Sequence, residues 1–123
     1  VYVANSDRQT IVRVPIEGGD AGSPAVYFNG PLIDDFAFSA SGAIYATTHA
    51  NDVLRIATDL TIEVIASAPE GVVGNTALVF GGTAFDDETV YISTDGGLYV
   101  AGGNAGQSGP ARVVRVPVGE SGY

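Results

Sequence analysis

Three side chains that could take part in chemistry lie at the ends of predicted strands: Asp34, His49 and Asn75. Asp34 and Asn75 are 41 residues apart, and carboxylate and amide oxygens are donors that a hard cation such as Ca²⁺ prefers. His49 is the only histidine, so any histidine base in this chain must be that residue. Each has a structural alternative, because Asp and Asn form turns before strands and a turn histidine can bond to the backbone.

The amino-acid composition excludes several other classes of function. Fourteen acidic residues oppose five arginines and no lysine, which gives a net charge of −9. Binding to nucleic acid or to an anionic membrane surface is therefore not expected. The absence of cysteine excludes thiol nucleophiles and thiolate-bound metals, and the absence of lysine excludes Schiff-base chemistry. Apolar runs are short, so we predict a soluble protein without a membrane span, secreted or not.

The elements that would position these side chains recur along the chain. Three segments, residues 1–6, 44–49 and 90–95, share a tyrosine at the same place, and the tyrosines are 43 and then 46 residues apart. One further strand is predicted before the second and third segments, at residues 36–39 and 77–80. Two more are predicted after each segment: residues 11–14 and 25–28, then 53–56 and 62–65, then 97–100 and 112–116.

The repeating unit is therefore four antiparallel strands in about forty residues, which is the size of a propeller blade. The predicted fold is all-β: a β-propeller fragment of about three four-stranded blades, the first without its inner strand. It divides into a partial blade at 1–33, blades at 34–74 and 75–118, and a tail at 119–123. A β-sandwich is the alternative, but its strands need not recur in register with a shared tyrosine. We expect the tyrosines to pack between blades.

Residues 33–46 and 74–80 resemble the inner-strand signatures of the senescence-marker-protein/gluconolactonase family. These are calcium-dependent six-bladed propellers, with strictosidine-synthase-like proteins and paraoxonases as more distant relatives. The resemblance implies a divalent cation, Ca²⁺ in that family, on the axis of a complete propeller. Asp34 then stands in the place of an aspartate ligand and Asn75 in that of an asparagine ligand. Asp35 and Thr76 replace glycines of the pattern, and Asp35 is expected to form a turn or to support a ligand.

The same resemblance implies a hydrolase that acts on lactones or similar esters. The cation would polarise the carbonyl group, and Asp34 or His49 would transfer the proton. Two alternatives remain open: a propeller that binds a small molecule without hydrolysing it, as some relatives in secondary metabolism do, and an interaction scaffold. The remaining ligands would lie in blades of a longer parent chain. Those blades, or self-association of copies, would also cover the open sheet faces. We expect the fragment alone to be inactive.

Overall fold

The computed structural model describes residues 1–98 and 109–123. In that part of the chain the fold is all-β, with antiparallel sheets, one 3₁₀ turn at Ala68–Glu70 and no α-helix. None of the described helical residues forms a segment long and apolar enough to span a bilayer. The short β-branched runs and frequent glycines account for this, since they suit strands and turns better than helices.

Sheet 1 contains three strands in the order β1, β2, β5, and β1 stands at its edge as predicted. A two-stranded hairpin, β3 and β4, is inserted between β2 and β5 and was not predicted. Its strands are only two residues long, too short for alternation to be visible in the sequence. The ranges are β1 (Tyr2–Asn5), β2 (Thr10–Arg13), β3 (Ile16–Glu17), β4 (Asp20–Ala21) and β5 (Ala25–Asn29).

Sheet 2 confirms the four-stranded antiparallel unit. Its strands pair in chain order, each with the next one along the chain. They are β6 (Phe36–Phe38), β7 (Ile44–Thr47), β8 (Val53–Ile56) and β9 (Ile62–Ala66).

Sheet 3 departs from the prediction. Its described strands are β10 (Asn75–Phe80), β11 (Thr89–Thr94) and β12 (Arg112–Pro117). β12 pairs with β11 along its whole length, so it occupies the third position in the sheet. The prediction that residues 112–116 form the outermost of four strands is therefore wrong.

The predicted strand at residues 97–100 does not begin where expected. Gly97 and Leu98 lie in a turn, and both of their N–H groups donate to the Asp95 carboxylate. Gly96 and Gly97 have φ values of 79° and 91°, which glycine adopts without steric cost. Residues 99 and 100 of the predicted strand lie outside the described residues.

Sheet 2 lies between sheets 1 and 3, and each of its faces packs against one of them. β7 is buried along its whole length, because side chains that alternate between the faces meet a neighbouring sheet on both sides. Buried side chains between sheets 1 and 2 include Ile11, Phe28, Ile44, Leu54 and Ile56. Those between sheets 2 and 3 include Tyr45, Val53, Leu78, Val90 and Ile92.

One aromatic contact is repeated at both sheet boundaries. The rings of Tyr2 and Phe38 have centroids 4.8 Å apart, and those of Tyr45 and Phe80 are 5.1 Å apart. Each phenylalanine ends the first strand of its sheet, and each tyrosine reaches it from the sheet before. Two of the three aligned tyrosines therefore pack between sheets, as predicted. Tyr91 alternates with the buried residues of β11 and so faces away from sheet 2.

The C-terminal residues pair with the first strand region of sheet 2. Ser39 and Gly122 form an antiparallel bridge. The Tyr123 N–H donates to the Phe38 carbonyl at 3.0 Å, and the Ala40 N–H donates to the Ser121 carbonyl at 2.9 Å. The segment predicted as a tail, residues 119–123, thus returns from sheet 3 to sheet 2 and brings Glu120 against it.

Candidate functional site

The structure brings Asp34 and His49 into contact. Nδ1 of His49 lies 2.8 Å from Oδ2 of Asp34. The His49 side chain is 36% exposed and the Asp34 side chain is 32% exposed, so both are partly accessible to solvent. A carboxylate that holds one imidazole nitrogen fixes the orientation of the ring and favours one tautomer, which is the arrangement of a proton-transfer pair.

Antiparallel pairing explains why these two residues meet. Asp34 immediately precedes β6, and His49 follows β7, so the start of one strand lies beside the end of the other. The Asp34 N–H donates to the Thr47 carbonyl, and the Thr47 N–H donates to the Asp35 carbonyl, both at 2.9 Å. The Asp35 N–H also reaches Thr47 Oγ1 at 3.1 Å. These bonds extend the ladder past β6 and fix the backbone that carries the Asp34 carboxylate.

His49 has an uncommon backbone conformation. Its φ is 58°, in the left-handed region that most residues with a side chain avoid. It belongs to the turn of residues 48–52, where Thr48 Oγ1 donates to the Asp52 carbonyl at 3.0 Å. A non-glycine residue in this region costs of order 1 kcal/mol and persists where its surroundings hold it. The conformation aims the imidazole at Asp34 rather than along the strand.

Asn75 is fully buried, at 0% exposure, and is used differently from Asp34. Its Oδ1 accepts from the Thr48 N–H at 2.9 Å, and its Nδ2 donates to the Asp52 carbonyl at 2.8 Å. Its own N–H donates to the Ala50 carbonyl at 3.0 Å. The residue therefore binds the turn that carries His49, across the boundary between sheets 2 and 3.

Asp35, which directly precedes β6 of sheet 2, also forms a hydrogen bond to sheet 3. Its Oδ2 accepts from the Leu78 N–H in β10 at 2.9 Å. Asp35 thus bonds to a neighbouring strand, and the expectation that it supports a cation ligand stays a prediction.

Asp34 and Asn75 occupy corresponding places, each where the first strand of its sheet begins. The pairing of β10 with β11 shifts register between Asn75 and Ala77, so one extra residue is accommodated there. Asp34 and Asn75 are 41 residues apart, whereas Phe38 and Phe80 are 42 residues apart. The extra residue in the bulge accounts for this difference of one, so both pairs belong to the same repeat. The corresponding places agree with the spacing in the sequence, but the Asn75 side chain is buried and bonded to backbone, whereas that of Asp34 is partly exposed.

The donor set fits a divalent cation in part. Asp34 offers a carboxylate that is open to solvent, whereas both side-chain atoms of Asn75 are bonded to backbone. In residues 1–98 and 109–123 no three His, Cys, Asp or Glu side chains cluster as a metal site would require. Asp95 Oδ2 is a buried oxygen for which the described structure gives no hydrogen-bond partner. The cation therefore stays a prediction.

A second polar cluster, which sequence reasoning missed, lies at the opposite end of β7. Oε1 of Glu120 lies 2.6 Å from a guanidinium nitrogen of Arg55 and accepts from the Tyr45 hydroxyl at 3.1 Å. The Ser41 hydroxyl donates to Oε2. Hydrogen bonds from Ser41 and then Arg55 lower the pKa of Glu120 to about 2, against the opposing effect of burial. Burial, in turn, raises the pKa of Tyr45.

Comparison with known proteins adds no assignment to this geometry. The chain matches no model of a known protein family, and no curated protein matches it significantly.

Proposed function

We propose that this chain forms part of a β-propeller hydrolase that acts on lactones or similar esters. The observation that carries the proposal is the contact of 2.8 Å between His49 and Asp34. In this arrangement Asp34 accepts a hydrogen bond from Nδ1 of His49. The imidazole ring then takes a proton from the attacking water and returns it to the leaving oxygen. General acid–base help of this kind contributes on the order of 10²–10⁴ in rate.

The propeller architecture is supported by the repeated contact between sheets. Tyr2 meets Phe38 and Tyr45 meets Phe80, so Tyr91 would meet the corresponding residue of a further sheet. Val79 and Val113, on the same face as Tyr91, are 61% and 72% exposed. A further blade from a six-bladed parent, or a second copy, would cover these side chains.

A divalent cation, Ca²⁺ by the resemblance, belongs to the proposal for the complete propeller. When bound, it would polarise the substrate carbonyl. Asp34 would supply a carboxylate oxygen, and Asn75 would contribute only if its amide were released from the turn. Of the chain's own residues, His49 moves the proton and Asp34 holds its ring.

The test compares variants of the full-length chain that carries these residues. Hydrolysis of a panel of lactones and aryl esters should fall by a factor of about 10²–10⁴ in kcat for His49→Gln and for Asp34→Asn, with smaller changes in KM. Asp59→Asn is the matched control, since Asp59 is an exposed turn carboxylate. Hydrolysis that is absent in the unaltered protein, or equal in all variants, would refute the proposal.

Binding of a small molecule without hydrolysis is the second candidate. It is favoured by the way Asn75 and Asp35 bond to backbone, which makes this end of the sheets a rigid surface with few uncommitted polar groups. A ligand from the panel that raises the melting temperature of the protein and is recovered unchanged would support it. Calcium that raises the melting temperature in an Asp34-dependent way would instead favour the hydrolase.

A further inference from the structure

We propose that Asn75 is a positioning residue that clamps the turn of residues 48–52 and thereby holds His49 against Asp34. This inference rests on the proposed function, because it assigns a role in proton transfer to a residue that cannot itself reach a substrate. Asn75 is fully buried, so a direct contact with ligand would require the turn to move.

The clamp consists of four hydrogen bonds between the start of β10 and the turn. The Asn75 side chain bonds the backbone of Thr48 at one end of the turn and that of Asp52 at the other. The Asn75 N–H bonds the Ala50 carbonyl at 3.0 Å, and the Gly74 N–H donates to Asn51 Oδ1 at 3.2 Å. Because both ends and the middle of the turn are bonded to the start of β10, the backbone of the turn has little freedom to move.

His49 needs such support because of its backbone. Its φ of 58° is unfavourable for a residue with a side chain, and a released turn would relax towards more populated conformations. Relaxation would swing the imidazole away from Asp34, whose own backbone is fixed separately by Thr47. The hydrogen bonds from the neighbouring sheet therefore support the contact between His49 and Asp34.

The substitution Asn75→Asp separates this role from that of a cation ligand. A carboxylate is a better calcium ligand than an amide, so a ligand at this position should tolerate the change or bind Ca²⁺ more tightly. A clamp should not tolerate it, because the carboxylate has no N–H for the Asp52 carbonyl and places a charge in a buried site.

The experiment uses NMR on the full-length protein, in which His49 supplies the imidazole signals of this chain. We expect the Thr48 amide to exchange on the order of tenfold faster or more in Asn75→Ala and Asn75→Asp. The ¹⁵N signal of His49 Nδ1 should also move towards that of a free imidazole at a fixed pH. Val90→Ala is the control, because Val90 is fully buried between the same two sheets and pairs with Phe80, at the opposite end of β10 from Asn75.

Three results would overturn the positioning role. One is an unchanged His49 signal in Asn75→Ala, and another is tighter Ca²⁺ binding by Asn75→Asp with the Thr48 amide still protected. The third applies if Asn75→Ala does not fold. In that case, rapid exchange of the Asn75 side-chain amide and of the Thr48 N–H in the unaltered protein would overturn the role. Failure of the unaltered protein to hydrolyse the ester panel would refute the proposed function alone, because these signals do not depend on turnover.

Discussion

Replacement of Glu120 by glutamine tests how the C-terminal segment stabilises sheet 2. Glu120 accepts hydrogen bonds from Ser41 and Tyr45 and forms an ion pair with Arg55 at 2.6 Å. Glutamine preserves the shape of the side chain but removes its charge. The change therefore weakens the bonds to Arg55 and Ser41 while it leaves the packing of residues 117–123 intact.

The expected loss follows from the pKa of Glu120, which the cluster lowers from 4.5 to about 2. A shift of that size corresponds to about 3 kcal/mol at neutral pH. The Glu120 and Arg55 side chains are 21% and 30% exposed, so solvent screening reduces the effect to about 1–2 kcal/mol. Because the pKa is lower in the folded state, the contribution is complete above pH 4.5 and is lost as the pH falls towards 2.

Urea unfolding of the unaltered protein and of Glu120→Gln, measured at intervals between pH 7 and pH 3, provides the assay. The difference in unfolding free energy should be about 1–2 kcal/mol at pH 7 and should shrink steadily below pH 4.5. Glu17→Gln, at an exposed position in the β3–β4 hairpin, should show almost no difference at any pH. A difference for Glu120→Gln that does not depend on pH would refute the assignment of the effect to its charge.

Two further predictions concern residues at the contact between sheets 2 and 3. Gly74 has a φ of 65°, and a methyl group there would overlap the Asp95 carboxylate, so Gly74→Ala should lower the unfolding free energy by about 2 kcal/mol or more. Gly82→Ala, with open space around it, should change little in the same urea titration. Asp35→Ala removes the acceptor of the Leu78 N–H and should cost about 1–3 kcal/mol by thermal or urea unfolding, and more than Asp35→Asn, which keeps an oxygen. Equal losses in the two Asp35 variants would contradict the hydrogen bond.

The parts of the fold that could be predicted from sequence are those with a local signal. Sheet 2 was predicted strand by strand, because each of its strands is an apolar run bounded by turn residues such as Ser41 and Gly42. The recurrence of tyrosine also predicted that Tyr2 and Tyr45 pack between sheets, which the structure confirms for these two of the three tyrosines. The same spacing indicated that Asp34 and Asn75 occupy corresponding places.

The parts that were missed depend on pairing between distant residues. Glu120 meets Arg55 and Ser41, which are 65 and 79 residues away in the chain, and no periodic pattern links them. The two glycines that follow Asp95 are typical of a turn, but they do not show in which direction the chain leaves it. For this reason the position of β12 in sheet 3 could not be derived from the strand pattern alone.

The two polar clusters lie at opposite ends of β7, and this separation bears on what holds the candidate site. Glu120 contacts Ser41 before β7, Tyr45 near its start and Arg55 opposite Tyr45, whereas His49 follows the end of β7. A strand of four residues spans about 13 Å, and effects of substitutions that far apart usually add without coupling. Loss of the Glu120 charge should thus weaken the fold and leave the bond between His49 and Asp34 unaltered. Asn75, in contrast, binds the turn that carries His49 from sheet 3, so a change in the packing of sheet 3 against sheet 2 should reach His49 and Asp34 directly.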